Sequence, residues 1–482
     1  MRTEPADDPV QTGRGERIVK KDMYRPVYHF LPERNWMNDP NGTIFHEGYY
    51  HLFYQHNPNG DQWGTIHWGH ARSADLVDWE HLPVALYPSE ELGELHCFSG
   101  CAVLDGEEPK ILYTSIGEGE RNASTGAEQW LATSRDGMRT WTKHPQNPVM
   151  TTSIHGGIDI REWRDPFAWR EGEDWFMVVG GAHEGKGCVA IYKSADLVSW
   201  SFLNILYADP SVALCECPLF YREGDTYVLI YSPGKTVKYV TGTLAADYTF
   251  IPDTEGVIDH GSWDGYYAPN TLVDGSGRRI LFGWMPEASR ENFLPEAGWA
   301  GVQALPRELE VTASGKLAMR PVPELRRLRG RSSGLADLIA EGESVRAGIE
   351  GRAVEIIAEF DLAGTETAFG IEVLRSGDGR EATRIVVDPG AGLLTIDRSR
   401  SSLSPLPRRT PVTGRYEPAD GRLKLHVFVD HSTIEVFGNE TACLSARVYP
   451  TLALSAGVGL FGDSVVARLA RFDAWELSEA KS

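Results

Sequence analysis

The chain has 482 residues, with 47 Lys plus Arg against 68 Asp plus Glu, a net charge of −21, and 41% hydrophobic residues. That apolar content excludes a disordered chain, and the acidic balance excludes a nucleic-acid binder, which needs basic density to displace counterions. At roughly 150 residues per domain, two or three domains are expected, and 50 Gly, 28 Pro, 14 Trp and 18 Tyr predict short strands and turns rather than long helices.

Residues 1–21 form a polar N-terminal segment with no apolar stretch of the signal-peptide kind. No run of about 18 apolar residues occurs, so no membrane span is expected. Six cysteines (Cys97, Cys101, Cys188, Cys215, Cys217 and Cys443) are too sparse for a disulfide scaffold and read as free thiols of a reducing cytoplasm. A secreted chain whose leader had been removed would look the same. The sequons at Asn122 and Asn439 carry no weight without evidence of secretion.

Two repeats organise residues 22–320. A Ser-x-Asp segment closing on Trp recurs at Ser73–Trp79, Ser134–Trp141 and Ser194–Trp200. Apolar strand segments centre on Phe53, Leu112, Met177, Leu229 and Leu281, each preceded by a short strand and a polar turn bearing Gly or Asp. Such pairs are hairpins. Five sheet-sized units without helical periodicity predict an all-β five-bladed β-propeller. Beyond about residue 320 the texture changes to strands of period two at 355–360, 383–388, 423–429, 432–437 and 466–475. Residues 321–482 are therefore expected to form a C-terminal β-sandwich.

Three of the hairpins open on a carboxylate set against a proline: Asn38-Asp39-Pro40, Arg164-Asp165-Pro166 and Glu216-Cys217-Pro218. Taken singly, such a pair is an ordinary turn former. In register within a repeat, the three are expected to meet at one channel mouth, where mutual repulsion raises at least one pKa. Glycosidic bond cleavage uses that division, one carboxylate attacking the anomeric carbon and one carboxylic acid protonating the leaving oxygen. Trp36, Trp63, Trp68, Phe98, Trp163 and Trp284 are expected near the mouth, with Asn38, Gln55, Ser99 and Arg164 as polar contacts, the composition of a sugar pocket. Trp79, Trp141 and Trp200 are assigned to packing. His96, Cys97, Cys101, Cys215 and Cys217 lack the spacing of a zinc site, and no ligand-dense loop suggests calcium. No metal and no organic cofactor are expected.

The segment Trp36-Met-Asn-Asp-Pro-Asn-Gly42 resembles the hallmark of glycoside hydrolase family 32, the invertases, inulinases and levanases. His51–Pro58, Trp63–His70, Phe98-Ser-Gly100, Trp163–Pro166, Glu216-Cys-Pro218, Leu305–Glu308 and Asp430–Gly438 continue the likeness. The resemblance implies that Asp39 is the nucleophile of a covalent fructosyl-enzyme, Glu216 the general acid and then base, and Asp165 the transition-state stabiliser. It also implies that Asn38, Gln55, Trp63, Phe98, Ser99, Arg164 and Trp284 line a fructose subsite. The activity so implied is that of a retaining β-fructosidase acting on sucrose or β-linked fructo-oligosaccharides and fructans. A fructosyltransferase of the same family, such as one forming a difructose anhydride from levan, shares the intermediate, and a non-catalytic fructan-binding protein is the alternative from another class. The partner is a small-molecule or oligosaccharide fructoside, with no nucleic acid and no membrane, and the sandwich is expected to support the propeller or build a homodimer contact. Three departures from the family pattern (Cys215 before Glu216, Cys101 after Gly100, and Gly265-Tyr-Tyr-Ala268 with Asp264 one place early) are expected around the acid and the leaving-group side.

Overall fold

The computed structural model describes residues 22–481 except 288–292, 294–296, 342–343, 365 and 463–464, so the segment 1–21 lies outside the described residues. The chain is all-β. Residues 35–321 form five sheets whose opening hairpins pair Asn35–His46 with Tyr49–Asn57, Glu94–Asp105 with Glu108–Gly117, Arg161–Glu171 with Asp174–His183, Glu216–Glu223 with Thr226–Ser232, and Tyr267–Val273 with Arg279–Met285. These are the five hairpins read from the sequence. Their first strands touch one another in a closed ring, each against the next and the fifth against the first. Trp299–Ala300, from the fifth unit, pairs in parallel with Asn35 and Trp36 and ties the ring shut in a propeller-like arrangement. Among the described residues no helix is long and apolar enough to cross a membrane.

Period-two alternation explains why these strands are apolar throughout. Neighbouring residues point to opposite faces, and here both faces are buried between sheets. Ile111 and Tyr113 pack with Phe53 and Trp68 of the first sheet, while Leu112 packs with Trp163 and Met177 of the third. Val178 faces the fourth sheet's Phe220 and Leu229. Leu219 and Ile230 join Leu281 and Phe282 of the fifth and Leu52 of the first. The core is thus a set of interfaces between sheets, and a sheet alone would leave apolar surface in water.

The Ser-x-Asp repeat closes three equivalent turns. Asp75 Oδ1 accepts the Val77 and Asp78 N–H groups, and Asp196 Oδ1 accepts those of Val198 and Ser199. Asp136 does the same for Arg139 and Thr140. In each turn a buried apolar residue, Leu76, Met138 or Leu197, is held at φ near +64° (63°, 64° and 65°) and plugs the core.

Residues beyond 321 build two packed sheets. One orders Arg329–Gly334, Leu469–Leu477, Ala353–Asp361, Arg422–Asp430, Thr433–Gly438 and Ala442–Arg447; the other contains Phe369–Arg375, Thr383–Asp388 and Leu393–Asp397 among its seven strands. The apolar layer between them includes Ile356, Phe360, Ile371, Leu394 and Val427. One expected strand is corrected: residues Val466–Arg468 form a 3-10 turn, and the strand starts at Leu469.

A buried polar cluster joins the two units and the N-terminal stretch. Asp430 accepts the Val27, Tyr28 and His29 N–H groups, and His29 bridges Asp430 at 2.9 Å and Glu435 at 3.0 Å. Arg307 joins Glu435 to Asp259 at 2.7 and 2.8 Å.

Candidate active site

Each inner strand carries a break in register within one residue of the same place: between Met37 and Pro40, Cys97 and Gly100, Arg164 and Phe167, Glu216 and Leu219, and Tyr267 and Asn270. A bulge re-aims side chains and bends the strand. Proline suits it, lacking the N–H that a ladder would need. Four sheets have proline there (Pro40, Pro166, Pro218 and Pro269) and the second has Gly100, where a Cβ would collide with the Leu112 carbonyl.

The bulges present two rows of side chains. The residues directly before the proline or Gly100 are Asp39, Ser99, Asp165, Cys217 and Ala268; one place earlier stand Asn38, Phe98, Arg164, Glu216 and Tyr267. All but Ala268 line one cavity of about 190 Å³, with Gln55, Trp63 and Trp284 completing its wall and Trp36 and Trp263 beside them. Eleven of the thirteen residues expected at or near the mouth therefore share a single space. The sequence alignment of the three acids needs one correction: Asp39 and Asp165 are equivalent, whereas Glu216 belongs to the earlier row with Arg164.

Asp39 and Asp165 converge at the floor. Ser99 Oγ donates to Asp39 Oδ2 at 2.7 Å and Asn38 Nδ2 to Oδ1 at 3.1 Å. The Cys217 N–H donates to Asp165 Oδ2 at 2.9 Å, and its Sγ stands 3.5 Å from Asp165 and 3.7 Å from Asp39. Asp165, Cys217 and Ala268 hold positive φ (66°, 46° and 48°), strain of the kind that collects at functional sites. Burial, followed by the charge of Asp165, pushes the Asp39 carboxyl up to about 7, against the hydrogen bonds from Ser99 and Asn38. Burial also raises Asp165, opposed by the Arg164 charge and reinforced by Glu216.

Glu216 is held from both sides. Arg164 Nη2 donates to Oε1 at 2.8 Å and Tyr267 Oη to Oε2 at 2.6 Å, while Glu162 steadies the other end of Arg164 at 2.6 Å. Burial and the Glu216 charge raise the Tyr267 phenol far above its ordinary range, so it remains a donor. Aromatic rings surround this polar floor: Trp36 and Trp263 each meet Trp284 edge-on, and Trp63 meets Phe98 edge-on. Trp36 Nε1 also fixes the Asn38 side chain at 2.7 Å, and Gln55 donates to the Cys97 carbonyl at 3.0 Å.

Several expectations are overturned. Trp68 and Trp163 are fully buried between sheets, their indole N–H groups donating to the Phe98 carbonyl and the Tyr192 hydroxyl. Cys215 packs in the core between the third and fourth sheets, and Cys101 packs between the second and third, accepting the Ala168 N–H. Neither faces the cavity, so neither widens it. Asp264 turns away and pairs with Arg398 of the sandwich at 2.5 Å. Tyr267 lies in the segment 265–268 expected around the acid but is not among the residues expected to line the subsite, and neither is Trp263. Tyr267-Ala-Pro269 matches Glu216-Cys-Pro218 in register, a signal that aligning prolines in all sheets would have exposed; Trp263, in a short 3-10 turn, carries no such signal. Among the described residues no group of three or more His, Cys, Asp or Glu side chains is arranged to hold a metal ion.

Comparison with known proteins completes the picture. Residues 29–321 match the model of the glycosyl hydrolases family 32 N-terminal domain, and residues 324–476 that of the family 32 C terminal domain. The chain is 35% identical over 464 residues to a levanase of Bacillus subtilis, covering 86% of this chain and 65% of that protein, so it spans just under two thirds of that relative's length. It is 32% identical to a sucrose-6-phosphate hydrolase of Zymomonas mobilis, over 98% of this chain and 95% of the other. A fructan 1-exohydrolase IIa of Cichorium intybus superposes with a TM-score of 0.83 at 28% identity, covering 95% of this chain and 98% of that one. Both domains match in their chain order across nearly all the described sheets, and on that ground the chain belongs to glycoside hydrolase family 32 and is a glycoside hydrolase.

Proposed function

We propose that this glycoside hydrolase is a retaining β-fructosidase, removing terminal β-D-fructofuranosyl units from sucrose or β-linked fructans, with the five sheets of residues 22–320 acting as the blades of a propeller and residues 321–482 as its sandwich. The observation that carries the reading is the meeting of Asp39, Asp165 and Glu216, from three different sheets, in one aromatic-walled cavity. Its volume of about 190 Å³ is roughly six waters' share of the liquid, the scale of one monosaccharide. Fructoside relatives named levanase, sucrose-6-phosphate hydrolase and fructan 1-exohydrolase support the same substrate class.

In this reading Asp39 attacks the anomeric carbon while Glu216 protonates the leaving oxygen, and Glu216 then takes a proton from the water that releases fructose. Hydrogen bonds from Ser99 and Asn38 favour the ionised nucleophile. Asp165, anchored by the Cys217 N–H, holds sugar hydroxyls as positive charge develops at the ring. Arg164 and Tyr267 orient the Glu216 carboxyl so that its proton is delivered along one direction. The test is incubation with sucrose, inulin and levan, with product identification and NMR of the first anomer formed. Free fructose appearing first as the β-furanose is expected; the α anomer would overturn retention, a difructose anhydride would overturn hydrolysis, and no product would overturn the fructosidase reading.

A further inference from the structure

The chemistry above leaves Trp263 without a role. This indole is 42% exposed at the cavity rim, its ring stacks on Tyr267 with centroids 4.4 Å apart, and its N–H donates to the Gly234 carbonyl at 2.7 Å. Held by face and edge, it would lose little freedom on meeting a ligand. Tyr267 in turn donates to Glu216, so the indole continues outward the wall that begins at the acid. A group attached to the oxygen that Glu216 protonates has this wall as one of its neighbours. An exposed, immobilised indole offers an apolar sugar face a flat surface there.

The turn bearing Trp263 is anchored by the second unit. Asp264, the next residue, forms a buried pair with Arg398, which also donates to the Arg447 and Thr410 carbonyls. His260 N–H donates to the Cys443 carbonyl at 3.0 Å. Gly261 and Gly265 both lie against the Ser445 carbonyl, close enough that a Cβ at either would collide with it. Two glycines and an ion pair thus clamp a five-residue stretch of the propeller onto the sandwich.

We propose that Trp263 is the platform for a sugar leaving group and that Arg398 is the positioning residue that sets it, so that the sandwich takes part in substrate choice. The proposal rests on the fructosidase reading and adds to it the leaving-group side. Its test compares kcat/KM on 1-kestose, whose leaving group is a sugar, with kcat/KM on methyl β-D-fructofuranoside, whose leaving group is methanol. Trp263→Ala should lower the kestose-to-methyl ratio about 10-fold, the scale of losing a buried Trp contact, and Trp263→Phe should restore most of it. Arg398→Met should lower the ratio in the same direction and change it no further in the Trp263→Ala background; Arg398→Lys serves if the Met variant does not fold. Equal losses on both substrates would reduce Trp263 to a prop for Glu216 and overturn the platform, as would an unchanged ratio. Additive effects of the Trp263 and Arg398 substitutions on the ratio would overturn the positioning role. A wild-type enzyme inactive on both substrates would instead overturn the fructosidase reading, and the platform with it.

Discussion

Asp39 sits where two demands conflict: a nucleophile must be ionised, while burial and the Asp165 charge push its carboxyl up to about 7. Activity carried by the ionised form therefore rises with pH, and kcat/KM should show its acid limb near neutrality, since that parameter reports groups of the free enzyme. Asp165→Asn removes a like charge and should move the limb to lower pH; Ser99→Ala removes a donor to Asp39 and should move it higher. The pH profile of each variant on sucrose checks both signs. Asp39→Asn should lower kcat by about 10⁴-fold or more while an equilibrium binding measurement still detects fructoside. Because the folded carboxyl binds its proton more tightly than the unfolded chain does, with an ordinary value of 3.8, Asp39 weakens the fold progressively as pH rises toward 7. The Asn variant should accordingly melt above wild type at pH 8 and level with it near pH 4.

The inner-strand bulge is the element on which the site depends. It falls within one residue of the same register in all five sheets, and in the first four it turns two consecutive side chains toward the cavity. Gly100 shows its tolerance limit, since a methyl group there would press into the Leu112 carbonyl and the Tyr113 backbone. Gly100→Ala should cost at least about 2 kcal/mol in urea unfolding, with activity lost alongside because Phe98 and Ser99 flank the bulge. The Asp-Pro and Cys-Pro pairs were legible as motifs because proline marks the break in the ladder. Counting back from the proline also separates the rows and sets Glu216 level with Arg164 and Tyr267; which row faces the cavity is not legible, because it depends on the extra residue in the pairing and period-two counting fails across it.

At the scale of the whole molecule, the two units share a buried polar cluster beside an apolar seam in which Phe428, Phe437 and Cys443 pack with the core of the first unit. Asp430 is fully buried, accepts three backbone N–H groups from the N-terminal stretch, and pairs with His29 and His431. These contacts hold its carboxyl well below the ordinary carboxylate range despite the burial that opposes ionisation. Removing one partner of such a group leaves its neighbours uncompensated, and Asp430→Ala should cost about 3–5 kcal/mol, read by chemical denaturation at pH 6. With the folded value depressed, the stability that Asp430 supplies is complete above its unfolded value of 3.8 and drains away as pH falls below it. The gap in melting temperature between wild type and Asp430→Asn should therefore narrow between pH 6 and pH 3, and a gap independent of pH would contradict the linkage.

Local chemistry was enough to read five hairpins, their turns, the sandwich texture and eleven side chains of the cavity. Apolar periodicity and proline placement act over a few residues, and the repeat multiplied each signal. The three-dimensional arrangement alone decided which tryptophans face the cavity and which face a neighbouring sheet, because strand periodicity does not say what covers either face. It alone also decided that Asp264 leaves the acid for Arg398, a residue 134 positions away. Contacts of that span depend on how two separately folded surfaces meet, and no pattern within either segment encodes the meeting.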